Sequence, residues 1–355
     1  MHIFDYSFLD KGLLPAQLVN LTSTIASVNS ISVTRKDKNK NIYTELEKTA
    51  RVQSVKGSNA IEGIVTTDAR IKEIVDGNSA PVNHSEREIA GYRDALDVIH
   101  SSYEHLPLSE NTILHIHEII TGTAGYKLSG KYKEEDNLIM EVDEIGRRRI
   151  RFNPVGANET KDAMEQMIMA YMDARDNPNI SKLLLIPCVI LDFLCIHPFT
   201  DGNGRVSRLL SLLLLYKSGY DVGKYVSFEE QINNAKEYYY SSLQESSVGW
   251  HTNENSYIEF MENFLSTLYK CYKELDKRFS TVNGKRLNKT ERIEQTVLNS
   301  VLPVSKSDIC DLLQDVSPTT VESVLGKMVR DGLVRKLGQA RATKYVNAKY
   351  IKQDR

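Results

Sequence analysis

The sequence lacks the features that mark several classes of protein. Four cysteines among 355 residues are scattered without metal-ligand spacing, and we expect reduced core cysteines in a cytoplasmic protein. The longest apolar stretch is broken by Pro187 and Asp192, which predicts no membrane span. The start, MHIFDYSFLDKG, has no basic region followed by an apolar one, so no signal peptide is expected. His115 and His117 are two residues apart, so on a helix they would point in different directions and make a poor metal-binding pair. We therefore predict packing or surface roles for both.

The composition is that of an ordinary folded protein. Hydrophobic residues make up 41% and charged residues 26% of the chain, and its length allows two or three domains. The formal net charge of −2 is unevenly distributed, because residues 285–355 hold 14 Lys and Arg against 8 Asp and Glu. A basic C-terminal region permits nucleic-acid binding without demonstrating it.

The most informative stretch joins two apolar segments, Leu183–Ile196 and Arg205–Tyr216. Their composition predicts two buried helices. Between them, Gly202, Asn203 and Gly204 can adopt backbone conformations closed to bulkier residues, so that successive N–H groups can converge on an anion where the second helix starts. The pattern predicts a phosphate cradle.

Four side chains near this predicted cradle have chemistry suited to a reaction at a phosphate group. Asp201 precedes it and offers an oxygen ligand for a magnesium ion that bridges phosphates. Arg205 and Arg208 share one helix face at spacing i, i+3 and can reach further phosphate charge. His197 is the group whose ordinary pKa suits proton removal near neutral pH.

The stretch resembles a known family. HPFTDGNGRVSR is similar to the signature HxFx(D/E)GNGRxxR of Fic-domain proteins. The resemblance implies a helical fold and an enzyme that transfers AMP from ATP to a hydroxyl group of a protein.

The same resemblance implies a role for each residue. His197 would deprotonate the target hydroxyl, and Asp201 would hold Mg²⁺. The run Gly202–Gly204 would cradle the α- and β-phosphates, and Arg205 and Arg208 would bind the β- and γ-phosphates.

An acidic residue upstream suggests regulation. The segment Ser58–Gly63, SNAIEG, resembles the family's inhibitory motif (S/T)xxxE(G/N), in the class that carries it on an N-terminal helix. The resemblance implies that Glu62, with Ser58, occupies Arg208 and so disfavours productive ATP binding. The alternative is an ordinary surface carboxylate near a helix end.

The region after Gly130 changes to an alternating pattern. Ile139, Ile150 and Phe152 flank a polar centre, which predicts a β-hairpin. In Fic proteins the hairpin at this place is a flap that pairs with the target backbone. The arginines 147–149 would make its tip basic, or would keep an exposed edge soluble.

The segment after the motif contains two tyrosines that could contact the nucleoside of ATP. Tyr239 and Tyr240 resemble the paired tyrosines of the family's YYxxLQ pattern and could line a nucleoside pocket, although packing in the core is the alternative. Ala235 and Lys236 stand where the family often has Asn-Arg, a departure that affects the base-binding contacts.

The tail, residues 286–355, is predicted to form three helices and a hairpin about Gly338. Ser305–Asp308 is typical of a capping box, and Ser317-Pro318 of a helix start. This order resembles a winged helix with Ser317–Asp331 as recognition helix. DNA binding and a role in protein interaction or dimerisation both remain open.

Together these observations predict a mainly α protein: a Fic helical core with a short β-hairpin flap, and a small C-terminal winged-helix-like α+β domain. We expect an N-terminal helical region (residues 1–80), a catalytic core (81–280) and the tail (286–355). The predicted function is self-inhibited transfer of AMP from ATP, with Mg²⁺, to a Ser, Thr or Tyr hydroxyl of a target protein or of itself. The alternatives are a DNA-binding regulator with a nucleotide-sensing core, and a Fic-fold enzyme that removes AMP from a modified protein.

Overall fold

The computed structural model describes residues 2–142, 148–283, 288–298, 300, 303–313, 315–338 and 343–348. The chain divides into two units. The first consists of Met1–Arg35 and Glu47–Tyr272, and the second of Lys36–Leu46 and Lys273–Arg355.

Helices form most of the chain as far as residue 283. In order they are α1 (Phe8–Lys11), α2 (Ala16–Lys38), α3 (Lys40–Ile61), α4 (Asp68–Val75), α5 (His84–Ser102), α6 (Glu110–Gly122), α7 (Ala157–Asp176), α8 (Lys182–Ile196), α9 (Asn203–Lys217), α10 (Phe228–Asn234), α11 (Lys236–Ser247) and α12 (Ile258–Asn283). Short 3₁₀ turns lie at Tyr103–His105, Val222–Lys224 and Trp250–Thr252. The prediction of a mainly α-helical fold is confirmed.

Short polar side chains start several of these helices. Thr67, Asn83 and Ser109 precede α4, α5 and α6, and each accepts a hydrogen bond from the backbone N–H three residues further on. Such caps satisfy an N–H group that the first turn leaves without a partner.

The centre of the first unit is the pair α8 and α9. Every residue of α8 after Lys182 is buried, as its composition predicts. Helix α8 packs against α7, α9 and α11, while α9 also packs against α5 and α6. The connection between α8 and α9, which holds the motif, is therefore fixed at both ends by the core.

The predicted hairpin is present. Strands β1 (Ile139–Val142) and β2 (Arg148–Phe152) are antiparallel, with Ile139 opposite Phe152 and Met140 opposite Ile150. The prediction of a basic tip falls partly on residues 143–147, which lie outside the described residues.

The second unit has a small core of its own. Its elements include α13 (Lys289–Leu298), β3 (Val304–Ser305), α14 (Lys306–Leu312), α15 (Pro318–Arg330), β4 (Val334–Leu337) and β5 (Lys344–Asn347). The strands form an antiparallel sheet in the order β3-β5-β4. The predicted capping box between Ser305 and Asp308 and the cap at Ser317 are confirmed, whereas a winged-helix function stays a prediction.

Within the part of the chain that the structure describes, no helix is both long enough and apolar enough to cross a membrane.

Candidate active site

His197 directly follows α8, where the chain turns sharply. Its backbone has φ 52°, a left-handed conformation that residues other than glycine seldom adopt. Its N–H still donates to the Phe193 carbonyl at 3.0 Å, and its side-chain Nδ1 faces the Leu194 carbonyl at 3.4 Å. Because a carbonyl oxygen only accepts, Nδ1 carries the ring proton and Nε2 keeps its lone pair.

The environment of His197 favours the neutral ring. Burial lowers the pKa of its imidazole to about 4, and the charge of Lys133 adds to this effect. The Leu194 carbonyl and the carboxylates of Glu62 and Asp201 act in the opposite direction but do not outweigh burial. At neutral pH the side chain is therefore an unprotonated base.

The loop after His197 is fastened by Asn203. Its buried side chain accepts from the Phe199 N–H at 2.9 Å and donates to the Phe199 carbonyl at 2.7 Å. The side-chain amide thus closes the loop, which leaves the backbone N–H of Asn203 to serve the predicted cradle. Phe199 is fully buried, so it anchors the loop in the core.

His117 supports the same loop from α6. Its ring stacks on Phe199 with centroids 3.8 Å apart. Its Nδ1 accepts from the Gly130 N–H at 3.1 Å, so Nε2 carries the proton and donates to the Asp201 carbonyl at 3.1 Å. Burial lowers its pKa to about 4, and a neutral ring suits this pairing. The predicted packing role of His117 is confirmed, and its support of the motif was not foreseen.

The first turn of α9 is where the phosphate cradle was predicted. Gly202 precedes the helix with φ 83°, and the N–H groups of a first helical turn have no partner within the helix. Glu62 lies directly above Gly204: a Cβ atom at Gly204 would fall far inside contact distance of the Glu62 Oε1. A carboxylate of the protein therefore lies beside a helix start that attracts anions.

Arg208 meets the two residues of the suspected inhibitory segment. Its side chain is only 2% exposed. Its Nε donates to the Ser58 hydroxyl at 2.8 Å, and its Nη2 donates to the Ser58 carbonyl at 2.9 Å and to Glu62 Oε1 at 2.8 Å. The contact expected between Glu62 and Arg208 is thus present, while its effect on activity stays a prediction.

Arg205 is also buried, and a carboxylate lies beside it. Its Nη1 lies 3.1 Å from Glu88 Oε1, and its Nη2 lies 3.6 Å from Asp201 Oδ1. The Tyr126 hydroxyl lies 2.6 Å from Glu88 Oε1 and 3.1 Å from Asp201 Oδ2. One arginine, one tyrosine and two carboxylates therefore form a connected polar group beside the cradle.

The carboxylate of Asp201 is suited to bind a magnesium ion. Its side chain is 53% exposed, so a carboxylate oxygen is accessible to an ion. The described residues contain no group of three or more His, Cys, Asp or Glu side chains that could hold a metal ion together. Magnesium that is bound through one carboxylate, substrate phosphates and water needs no such group.

A cavity of about 310 Å³ brings several of the predicted residues together, although Asp201 and Arg205 are not part of its lining. Among the residues that line it are His197, Gly204, Arg208, Glu62, Tyr239 and Tyr240, together with residues of both flap strands. Tyr239 is buried and Tyr240 partly exposed, with their rings edge to face at 5.6 Å. The guanidinium of Arg151, on β2, lies over the Tyr240 ring at 5.1 Å, so the flap and α11 meet at one wall of the cavity.

Comparison with known proteins agrees with this geometry. The sequence model of the Fic/DOC family matches residues 107–215, which contain the whole motif. These residues form a Fic/DOC domain. Curated relatives include a protein adenylyltransferase Fic from Nematostella vectensis, 25% identical over 181 residues, and a protein adenylyltransferase fic-1 from Caenorhabditis elegans, 25% identical over 167 residues.

These matches cover 49% and 45% of this chain, and the chain spans only 39% and 31% of the length of the two relatives. A crystal structure of a Fic family protein from Desulfovibrio desulfuricans has a similar fold. Its TM-score is 0.61 at 18% identity, and the superposition covers 94% of this chain and 97% of that one.

The Fic/DOC domain contains a buried lysine that sequence analysis did not single out. Lys133 Nζ donates to Asn137 Oδ1 at 2.8 Å and to the Ile196 carbonyl at 3.2 Å, beside His197. Burial lowers its pKa to about 8. Asn137 in turn donates to the Phe199 carbonyl at 3.0 Å. Lys133 and Asn137 thus form a second support for the motif, and the signature itself gives no sign of them.

Proposed function

We propose that this protein transfers the AMP group of ATP to a Ser, Thr or Tyr hydroxyl of a protein target, and that Glu62 restrains the reaction. One observation carries the proposal: the neutral His197, the start of α9 and Arg208 all line one cavity. The names of the curated relatives support the choice of reaction.

In the proposed reaction the target hydroxyl oxygen forms a bond to the α-phosphorus. The bond from that phosphorus to the oxygen shared with the β-phosphate breaks, and diphosphate leaves. His197 Nε2 takes the hydroxyl proton, a contribution of roughly 10²- to 10⁴-fold in rate. The N–H groups of Gly202 to Gly204 and the guanidinium groups of Arg205 and Arg208 hold phosphate charge. Mg²⁺, held by Asp201, would add positive charge at the phosphates.

Glu62 restrains binding in two ways. Its carboxylate occupies a donor of Arg208 that would otherwise hold a phosphate, and its oxygen lies over Gly204 beside the helix start. A negative charge at this point repels phosphate and also fills the space that phosphate needs. Removal of the side chain relieves both effects.

The test is incubation of the wild type and the Glu62→Gly variant, alone and with a cell lysate, with Mg²⁺ and labelled ATP, and separately with labelled UTP, GTP and CTP. Self-modification is measured by intact mass, and transfer to lysate proteins by the label on a gel. We expect one AMP adduct on the Glu62→Gly protein, weak in the wild type and absent when His197→Ala is added. Turnover without His197 would remove it from the mechanism. No adduct with any nucleotide, on the protein or on lysate proteins, would refute the transfer reaction.

Removal of AMP is a second candidate, because Glu62 and His197 line the same cavity. Here Glu62 would orient a water molecule that attacks the phosphorus of an AMP-modified protein. Wild type added to a purified adduct from the first experiment would release free AMP, and Glu62→Gly would not. An adduct that persists with both proteins contradicts this candidate.

We also propose that the second unit binds DNA, with a second subunit as the alternative partner. Lys327 and Arg330 on α15 and Arg335 and Lys336 on β4 are all exposed, and the order of elements is the one expected for a winged helix. Full-length protein is expected to bind a DNA duplex at low salt, with affinity falling by decades as salt rises. Unchanged binding after Arg335→Glu with Lys336→Glu would contradict the idea.

We also propose a cytoplasmic location for the protein, which is favoured by its four free cysteines.

A further inference from the structure

From Glu47 onward, helix α3, which ends just before Glu62, is built into the core of the first unit. A Cβ atom at Gly57 would lie only 2.9 Å from the Glu230 backbone nitrogen, so α3 and α10 are in direct backbone contact. Beside it, the Ser54 hydroxyl donates to the buried carboxylate of Glu229 at 2.7 Å. The body of α3 therefore cannot leave without breaking the core, and any release of Glu62 must occur in the last turn.

Besides the contacts of Arg208 with Ser58 and Glu62, the last turn of α3 has a further contact from α11. Lys236, the first residue of α11, donates from Nζ to the Ile61 carbonyl at 2.6 Å. Ile61 is the last residue of α3, and the carbonyls of a last turn have no partner within the helix. A lysine charge at a helix C-terminus is also favourable to the helix dipole.

We propose that Lys236 is a positioning residue that holds the end of α3 so that Glu62 stays on Arg208. The inference rests on the proposed restraint by Glu62 and adds the residue that maintains it. Ile61 is bonded directly to Glu62, so a fixed Ile61 carbonyl limits how far the carboxylate can swing away. The Lys236 ammonium also lies 5.9 Å from the centre of the Tyr240 ring, so the lysine lies close to both the inhibitory segment and the cavity wall.

A direct role of Lys236 in holding the nucleotide is the competing explanation, and the two differ in their dependence on Glu62. A residue that acts through Glu62 has no effect once Glu62 is gone. A residue that contacts the nucleotide weakens binding when it is removed, whether Glu62 is present or not.

The experiment measures binding of ATP with a fluorophore on its ribose, in the presence of Mg²⁺, by fluorescence anisotropy. Lys236→Met is made in the wild type and in the Glu62→Gly protein. We expect tighter binding by roughly two- to tenfold in the wild-type background, the size of one charge-assisted hydrogen bond at a partly exposed site. In the Glu62→Gly background we expect no change. An equal change in both backgrounds, or none in the wild type, would overturn the proposal.

Lys224→Met is the matched control. Lys224 Nζ also donates to a carbonyl in the last turn of a helix, that of His100 at 2.9 Å, and also lies over a tyrosine ring, that of Tyr103 at 4.4 Å. Its removal is expected to leave nucleotide binding unchanged. If Lys236→Met does not fold, as judged by the fluorescence of Trp250, Lys236→Gln gives the same comparison.

The design separates this proposal from the proposed function. Binding is measured independently of transfer, so a protein that makes no AMP adduct still reports on Lys236. Should Glu62→Gly bind the nucleotide no more tightly than the wild type, the restraint itself is refuted. If Glu62→Gly binds more tightly and Lys236→Met does not, only the role of Lys236 fails.

Discussion

Substitution of Glu62 by glutamine separates the two ways in which we propose that this side chain restrains the site. Glutamine has nearly the same shape, and its side-chain oxygen can still accept from Arg208 Nη2, whose contact with Glu62 is 2.8 Å. The negative charge is lost. Glu62→Gly, in contrast, removes the charge and also clears the space above Gly204.

The expected effects follow from the contacts. A hydrogen bond to a charged group contributes about 1.5–3 kcal/mol and a neutral one about 0.5–1.5 kcal/mol. The Glu62 side chain is 32% exposed, so solvent screening reduces the difference to about 0.5–1 kcal/mol. We therefore expect Glu62→Gln to tighten ATP binding by roughly two- to fivefold, and Glu62→Gly to tighten it further.

Titration of the fluorescent ATP, followed by anisotropy, measures both variants against the wild type. Glu73→Gln is the control, because Glu73 forms an ion pair with Arg70 at 2.6 Å and does not line the cavity. We expect this substitution to have no effect on ATP binding. If Glu62→Gln binds as tightly as Glu62→Gly, the space above Gly204 is irrelevant and our reasoning from it is wrong. If Glu62→Gln equals the wild type, the charge has no part in the restraint.

Three further predictions concern the base, the loop and the helix contact. With a pKa of about 4 for His197, about 97% of the ring is unprotonated at pH 5.5, so transfer by the Glu62→Gly protein is expected to stay level from pH 8 to 5.5; half-loss near pH 6.5 in initial rates would contradict the burial argument. Asn203→Ala leaves backbone groups of the buried Phe199 without this partner and is expected to destabilise the first unit by about 1–3 kcal/mol, measured by urea unfolding with the fluorescence of Trp250, the sole tryptophan; no loss of stability would show that the loop does not depend on it. Gly57→Ala is expected to destabilise the unit by about 1–3 kcal/mol because of overpacking, whereas Gly122→Ala, whose Cβ would meet nothing closer than 3.5 Å, is expected to be neutral or stabilising in the same assay; equal results for the two would refute the tight contact of α3 with α10.

The parts of the site that could be predicted are those whose residues lie close together in the sequence. The residues from His197 to Arg208 are contiguous, and two apolar helices fix their connection, so spacing alone suggested one shared site. The pairing of Glu62 with Arg208 spans 146 positions. No local pattern predicts it, and it was expected only because SNAIEG resembles a family motif.

The residues that were missed reach the site from distant positions. Glu88 lies beside Arg205, Tyr126 beside Asp201, and Arg151 over a ring of α11. Each is an unremarkable residue in its own helix, loop or strand, because the property that matters is the partner that tertiary packing supplies. Lys133 is similar, since nothing in its neighbouring sequence indicates that its ammonium group is buried.

The loop between His197 and α9 is held from behind by groups of the protein itself, including Asn203, His117 and Asn137. Its conformational entropy is therefore lost when the chain folds and not when a nucleotide binds. In the proposed reaction, affinity and nucleotide choice are then left to the other walls of the cavity, on the flap and α11. Exchange of side chains on those walls is expected to change which nucleotide fits while the base and the cradle keep their geometry, so the domain can be redesigned for a new nucleotide one wall at a time.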